Sequence, residues 1–199
     1  MRLSHFACSR FLLSMFVAFA GLFAAAEVAS AQTTIAGGNV INQTWTVAGS
    51  PYTVQGDVIV PAGAFLNIQA GVDVRFTASD ALAANADPAR VELIVRGDLN
   101  VTGSAGAPVR FRASSGTAAG TWYGIVVEAT ATSASVTNAI VEHAITGLRT
   151  SLAGASITDS TFQNNSQIGV RLISDNYFCR SATTTFAGRS AVRTVRRTG

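Results

Sequence analysis

The chain's most constraining feature is a segment that comes back. Ala134-Ser135-Val136-Thr137-Asn138 returns 21 residues on as Ala155-Ser156-Ile157-Thr158-Asp159, and Gly147-Leu148-Arg149 returns 22 residues on as Gly169-Val170-Arg171. Within the same frame Val141 answers Phe162. Earlier copies are looser: Leu66-Asn67-Ile68 answers Leu99-Asn100-Val101, and Val74-Arg75-Phe76 answers Val109-Arg110-Phe111, at spacings of 33 and 35. The extra length lies in a polar, Ala-rich insert around Ser79 to Arg90. A fixed period near 20 with insertions at one corner is the signature of a solenoid.

The repeating unit is made of strands. No stretch of ten or more residues after Gln32 shows a helical period, and the alanines from Ala81 to Ala86 are stopped by Pro88. Short β-branched runs such as Val58-Ile59-Val60, Leu93-Ile94-Val95 and Ile125-Val126-Val127 are separated by glycine, asparagine and serine. A turn this short cannot bury its inward side chains alone. Stacked about 4.8 Å from its neighbour, each strand pairs in parallel and each inward Val, Ile, Leu or Phe sits on its equivalent. Alternation points Val74 and Phe76 in and Arg75 out, and does the same for Val109, Phe111 and Arg110. Asn138, Asn164, Asn165 and Asn176 fall at or near corners, where amides take up open backbone bonds and tolerate left-handed φ. The expected fold is all-β, a parallel β-helix of about five rungs, with a sandwich of irregular strands as the competing arrangement.

Charge divides the chain into three parts. Residues 1–31 pair Arg2 and Arg10 with an apolar run from Phe11 to Ala26 and small residues at Ala29-Ser30-Ala31, the pattern of a cleaved secretory signal peptide. That run is shorter than the roughly 20 residues a membrane span needs, so no span is expected after cleavage. Residues 32–179 hold seven arginines against ten acids, and 180–199 hold five arginines and no acid. A uniformly nucleic-acid-binding surface is therefore not expected. Cys8 leaves with the signal, and Cys179 alone offers neither an intrachain disulfide nor a metal framework. Over 180–199 the repeat is lost. Two readings stand for this stretch: a disordered basic tail, or a frame shift near Cys179 that truncates a longer solenoid.

The run Gly56-Asp57-Val58-Ile59-Val60-Pro61-Ala62-Gly63, continued through Val74-Arg75-Phe76, Val95-Arg96-Gly97 and Trp122-Tyr123-Gly124-Ile125, resembles the opening rungs of secreted bacterial right-handed parallel β-helix proteins of the pectin-lyase-like fold. The resemblance covers about residues 40–178 and implies a fold shared by polysaccharide lyases, hydrolases and noncatalytic surface proteins. Hydrolases resembling polygalacturonases carry clustered aspartates and a Gly-His-Gly segment, and calcium lyases pair several acids with an arginine or lysine base. Here His143 precedes Ala144, no Asp-Asp pair exists and lysine is absent, so no catalytic or metal-binding residue carries over and no cofactor is expected. Glu142-His143 is the one adjacent acid and imidazole after the signal, but strand neighbours face opposite sides. Asp57 and Asp98 read as turn residues.

The remaining candidates bind rather than react. Arg75, Arg110, Arg149 and Arg171 form outward columns suited to an anionic polysaccharide, or else a solvated face. Trp122 and Tyr123 form either a sugar-stacking platform or rung packing. The sequence thus describes a signal over 1–31, a β-helix over 32–179 and an Arg-rich stretch over 180–199. The expected role is a secreted or cell-surface noncatalytic module that binds polysaccharide or a cell-envelope component. The alternative is a fragment of a polysaccharide lyase or hydrolase whose catalytic rungs are missing.

Overall fold

The computed structural model describes residues 32–84 and 86–173, and beyond them the strands at 185–187 and 192–194. The signal peptide read over 1–31, Asn176, Cys179 and most of 180–199 lie outside the described residues.

The strands β1 (Thr33–Ile35), β2 (Gly38–Asn39), β3 (Gln43–Trp45), β4 (Tyr52–Val54), β5 (Val58–Val60) and β6 (Phe65–Gln69) make the first two rungs. The next two are β7 (Asp73–Phe76), β8 (Glu92–Val95), β9 (Asp98–Thr102), β10 (Val109–Ala113), β11 (Gly124–Val127) and β12 (Ser133–Thr137). A fifth rung comprises β13 (Ala139–Glu142), β14 (Thr146–Thr150) and β15 (Ser156–Thr158), and β16 (Thr161–Gln163) and β17 (Ile168–Leu172) follow. Every third strand belongs to one sheet: β1, β4, β7, β10, β13 and β16 form sheet I, β2 through β17 sheet II, and β3 through β15 the five-stranded sheet III. Each named pairing between rungs is parallel, as short strands coiling in one sense require. The chain is a parallel β-helix with about five rungs, as its repeat predicts.

The copies read from the sequence fall where their spacing puts them. Val136 lies opposite Ile157, Val141 opposite Phe162, Arg149 opposite Arg171 and Asn67 opposite Asn100. One copy is misplaced. Arg75 lies opposite Arg112, while Arg110 lies opposite Asp73, a slide of two residues from the expected Arg75–Arg110 pair. A slide of two leaves every side chain on the same face, so alternation cannot detect it. Within 180–199 two strands are described: the backbone of β18 (Thr185–Ala187) pairs with β16 on sheet I, Phe186 opposite Phe162, and that of β19 (Val192–Thr194) pairs with β17 on sheet II, Arg193 opposite Arg171.

Inward side chains stack into continuous columns. Tyr52, Val74, Phe111, Val141 and Phe162 follow one another up sheet I, and Val58, Leu93, Ile125, Leu148 and Val170 up sheet II, all buried. Burying each such side chain stabilises the fold by about 1.5–3 kcal/mol. The corners turn on left-handed residues, Asn138, Asp159 and Asn164 among them, in keeping with the tolerance of Asn and Asp for this region. Asn165 is buried and works as expected of a corner amide: its Oδ1 accepts from the Ala144 N–H at 2.9 Å and its Nδ2 donates to the Val141 carbonyl at 3.2 Å. Gly124 (φ 141°) cannot be replaced, because a Cβ there would run into the Thr146 carbonyl.

Replacing Phe111 by Ala opens a cavity between Val74 and Val141. A loss of about 3–5 kcal/mol is expected in urea unfolding. An unchanged midpoint would contradict the stacked core.

Candidate functional site

The outward faces of the three sheets differ in how they handle charge. On sheet I the Asp73 carboxylate receives Arg75 Nε at 2.8 Å and a two-bonded Arg112 fork at 2.9 and 2.7 Å. This shared acid favours the observed register, since it bridges two guanidinium groups stacked one rung apart and offsets part of their repulsion. Burial alone would raise the Asp73 pKa, but the bonds and charges of Arg112 and Arg75 outweigh it and hold the carboxyl below its ordinary 3.8. Arg75 is thus committed to an internal ion pair. Sheet III presents uncharged Asn67, Asn100, Ser135 and Ser156 at successive positions.

Sheet II holds a buried acid that the sequence did not single out. Glu92 opens β8 on the outward side, yet it is 1% exposed, with Oε1 accepting from the Asp87 N–H at 2.9 Å. Asp57, fully buried one rung earlier, accepts from the Glu92 N–H at 2.7 Å. Asp80 Oδ1 takes the N–H groups of Asp57 and Leu82 at 3.1 and 2.9 Å, and Arg90 joins Asp87 at 2.9 Å while its Nε donates to the Gly120 carbonyl. The insert between β7 and β8 is therefore tied to the sheet by carboxylates gripping backbone N–H groups. Burial, then the nearby charges of Asp57 and Asp87, push Glu92 up to about 7, against the lowering effect of its backbone bonds. The sequence signal was available in principle, as acids at 57, 80, 87 and 92 around one insert, but a Glu at a strand start ordinarily reads as exposed.

The same face carries cations with no such compensation. Up one outward column of sheet II stand Ile59, Ile94, Val126, Arg149 and Arg171. The Nε atoms of Arg149 and Arg171 are both enclosed and lack an acceptor. Two like charges on paired positions of neighbouring strands repel one another when no acid lies between them. Arg110 is exposed on sheet I, one column away from the Asp73 cluster's Arg75 and Arg112.

Every carboxylate among the described residues, by contrast, already holds an internal partner. Beyond those above, Glu128 pairs with Arg96 at 3.1 Å, Asp98 accepts from Ser133 at 2.7 Å, Glu142 accepts from Gln163 at 2.8 Å, and Asp159 is also engaged. Glu142 and His143 do not form a dyad. Glu142 faces outward on β13, while His143 is buried at a left-handed corner (φ 66°) with Nδ1 unpartnered. No group of three or more His, Cys, Asp or Glu among the described residues is placed to hold a metal ion.

The aromatic candidates divide. Trp122 is fully buried, its ring stacked on Phe76 at 3.9 Å and its Nε1 donating to the Glu142 carbonyl at 2.9 Å, so it belongs to the core and offers no sugar platform. Of the two readings of Trp122, its position is the packing one, where the ring contributes buried area against Phe76. Tyr123 faces the other way and is half-buried.

The two shifted carboxyls act in opposite directions on stability. Asp73, lowered from 3.8, contributes stability that is present above that value and lost as pH falls through its folded pKa. Glu92, raised from 4.5 to about 7, contributes stability that is present below 4.5 and lost as pH rises through about 7. A stability maximum near pH 4 is expected from this pair, with on the order of 2–3 kcal/mol lost toward pH 8 through Glu92. Glu92→Gln should flatten that alkaline slope in denaturant titrations at several pH values, and an unaltered slope would contradict the assignment.

Comparison with known proteins agrees with this geometry. The pectate-lyase like beta helix domain matches residues 38–161, the span from β2 to the start of β16. No curated protein and no solved structure gives a significant match. Among the described residues, no helix is long and apolar enough to cross a membrane. With its parallel rungs, its three sheets and a family match that runs through most of the repeat, the chain belongs to the pectate-lyase-like β-helix domain family.

Proposed function

We propose that this chain is a noncatalytic secreted or cell-surface β-helix module that binds polysaccharide or another cell-envelope component along a rigid outer face. One contrast carries the reading: each carboxylate of the described residues has at least one internal partner, although Asp80 Oδ2 is enclosed without one, whereas Arg149 and Arg171 stack in one outward column with enclosed Nε donors and no acceptor. General acid–base cleavage needs a carboxyl or imidazole within reach of the substrate. Glu92 has a pKa suited to that task but lies under the insert, away from any polymer. Binding needs only a regular surface, which stacked strands provide at a fixed repeat. Arg110, Arg149, Arg171 and Tyr123 are the ligand candidates that remain at the surface, and the leader over 1–31 supplies the route out of the cell.

A second reading draws on the family itself, whose pectate-lyase-like description allows a lyase or hydrolase fragment whose catalytic rungs lie elsewhere. Incubation with pectic, alginate and neutral glycans, with and without calcium, separates the two. Retention on a glycan without turnover is expected. New reducing ends or unsaturated products would overturn the noncatalytic reading.

A further inference from the structure

The insert between β7 and β8 runs along one corner of the solenoid, and its two halves are held there by different chemistry. The first, 77–82, hangs on backbone bonds and an apolar contact. The Thr77 N–H donates to the Val54 carbonyl at 3.0 Å, the Ala81 N–H donates to the Gln55 carbonyl at 2.9 Å, and Leu82 lies so close to Gly37 and Gly56 that a Cβ on either would crowd it. The second, 86–90, hangs on side chains. The Asp87 N–H donates to Glu92 Oε1 at 2.9 Å, and Arg90 joins Asp87 at 2.9 Å while its Nε donates to the Gly120 carbonyl at 2.9 Å. Between the halves Ala83 takes a left-handed conformation (φ 50°), which an alanine adopts only at a cost. We propose that 86–90 is a proton-released strap: it stays closed over Glu92 while that carboxyl is protonated, and opens locally, with the rungs still folded, once the carboxyl ionises. This regulation goes beyond the binding role and does not depend on it.

The surroundings of Glu92 decide the direction. Its side faces Asp57, fully buried on β5, and Asp87 from the strap, while the residue opposite it on β11 is the uncharged Gly124. Asp80 stands behind Asp57, accepting from the Asp57 N–H at 3.1 Å. Arg90 is the cation of this corner, but it is engaged by Asp87 and by the Gly120 carbonyl. A charge on Glu92 therefore meets two like charges and little water, with the N–H groups of Ala86 and Asp87 in its favour. The solenoid itself cannot yield, because β5 and β8 are paired in register and Asp57 holds the Glu92 N–H at 2.7 Å. The strap can. Lifting 86–90 lets water reach the carboxylate and draws Asp87 away from it, and Arg90 carries the movement to the next rung by letting go of Gly120.

The sign follows from linkage. Closed, the strap holds Glu92 at about 7; open, the carboxyl returns toward its ordinary 4.5. The opening constant then rises by up to tenfold per pH unit between those two values and levels off above the higher one.

Amide hydrogen exchange on the full chain from pH 5 to pH 8, corrected for the intrinsic exchange rate, tests the strap. The Asp87 and Arg90 amides should lose on the order of a hundredfold in protection across that range. They should exchange faster than amides within β8 and β11, at rates that low urea hardly changes, because local opening exposes little surface. The Ala81 amide, in the other half, should keep its protection. Glu92→Gln, which mimics the protonated carboxyl, should make protection at 87 and 90 independent of pH, and Glu92→Ala should lower it at every pH. The wild-type profile decides the matter even where a variant fails to fold. Strap amides as slow and as urea-dependent as those of the rungs would overturn the proposal, since exchange would then require global unfolding. So would protection that does not change with pH, an equal trend at Ala81, or a pH trend that survives in Glu92→Gln.

Discussion

The rest of this structure depends on parallel pairing between successive rungs. Once a strand of one rung bonds its counterpart in the next, every side chain acquires a neighbour of the same register about 4.8 Å away. Inward, that constraint is favourable: Val, Leu, Ile and Phe columns fill the bore, and each buried side chain serves as floor and ceiling for its neighbours. Corners meet the same demand with residues that accept left-handed φ or close approach, as at Asn138, Asn164 and Gly124.

Outward, the constraint turns any repeated charge into a conflict that each sheet resolves in its own way. Sheet III stacks amides and hydroxyls, which have no charge to repel. Sheet I stacks arginines and sets one aspartate among them. Sheet II does neither at Arg149 and Arg171, and the fold pays for the mismatch with enclosed donors and mutual repulsion. Uncompensated charge at fixed spacing is poor for stability and well suited to a ligand that brings the missing anions. The acid side of the same sheet is the mirror case, with Asp57 and Glu92 buried together, Asp57 accepting from the Glu92 N–H at the start of β8 and Glu92 from the Asp87 N–H of the insert.

Much of this was legible in the chain itself. The close copies at 134–138 and 155–159 predict the pairing that is seen, because no insertion separates them and the inward positions match in size. The Arg75–Arg110 register went astray for a definite reason. A period of two cannot distinguish slides of two residues, and the decisive information was an ion pair between Asp73 and Arg112, which alternation does not encode. Trp122 was ambiguous because an aromatic at a corner reads equally as core or surface until its neighbour Phe76 is placed beside it. Glu92 escaped notice because its burial comes from an irregular insert with no periodic signal. The strands at 185–187 and 192–194 were hidden by their composition, although Val192-Arg193 repeats the pattern of Val170-Arg171.

The central claim is that the fold leaves Arg149 and Arg171 for a partner outside the chain. A crystal structure of the protein with a bound oligouronate tests it most directly. The account predicts carboxylate oxygens within hydrogen-bond distance of both guanidinium groups. An oligosaccharide seated on another face, or the two arginines paired with protein carboxylates instead, would contradict it.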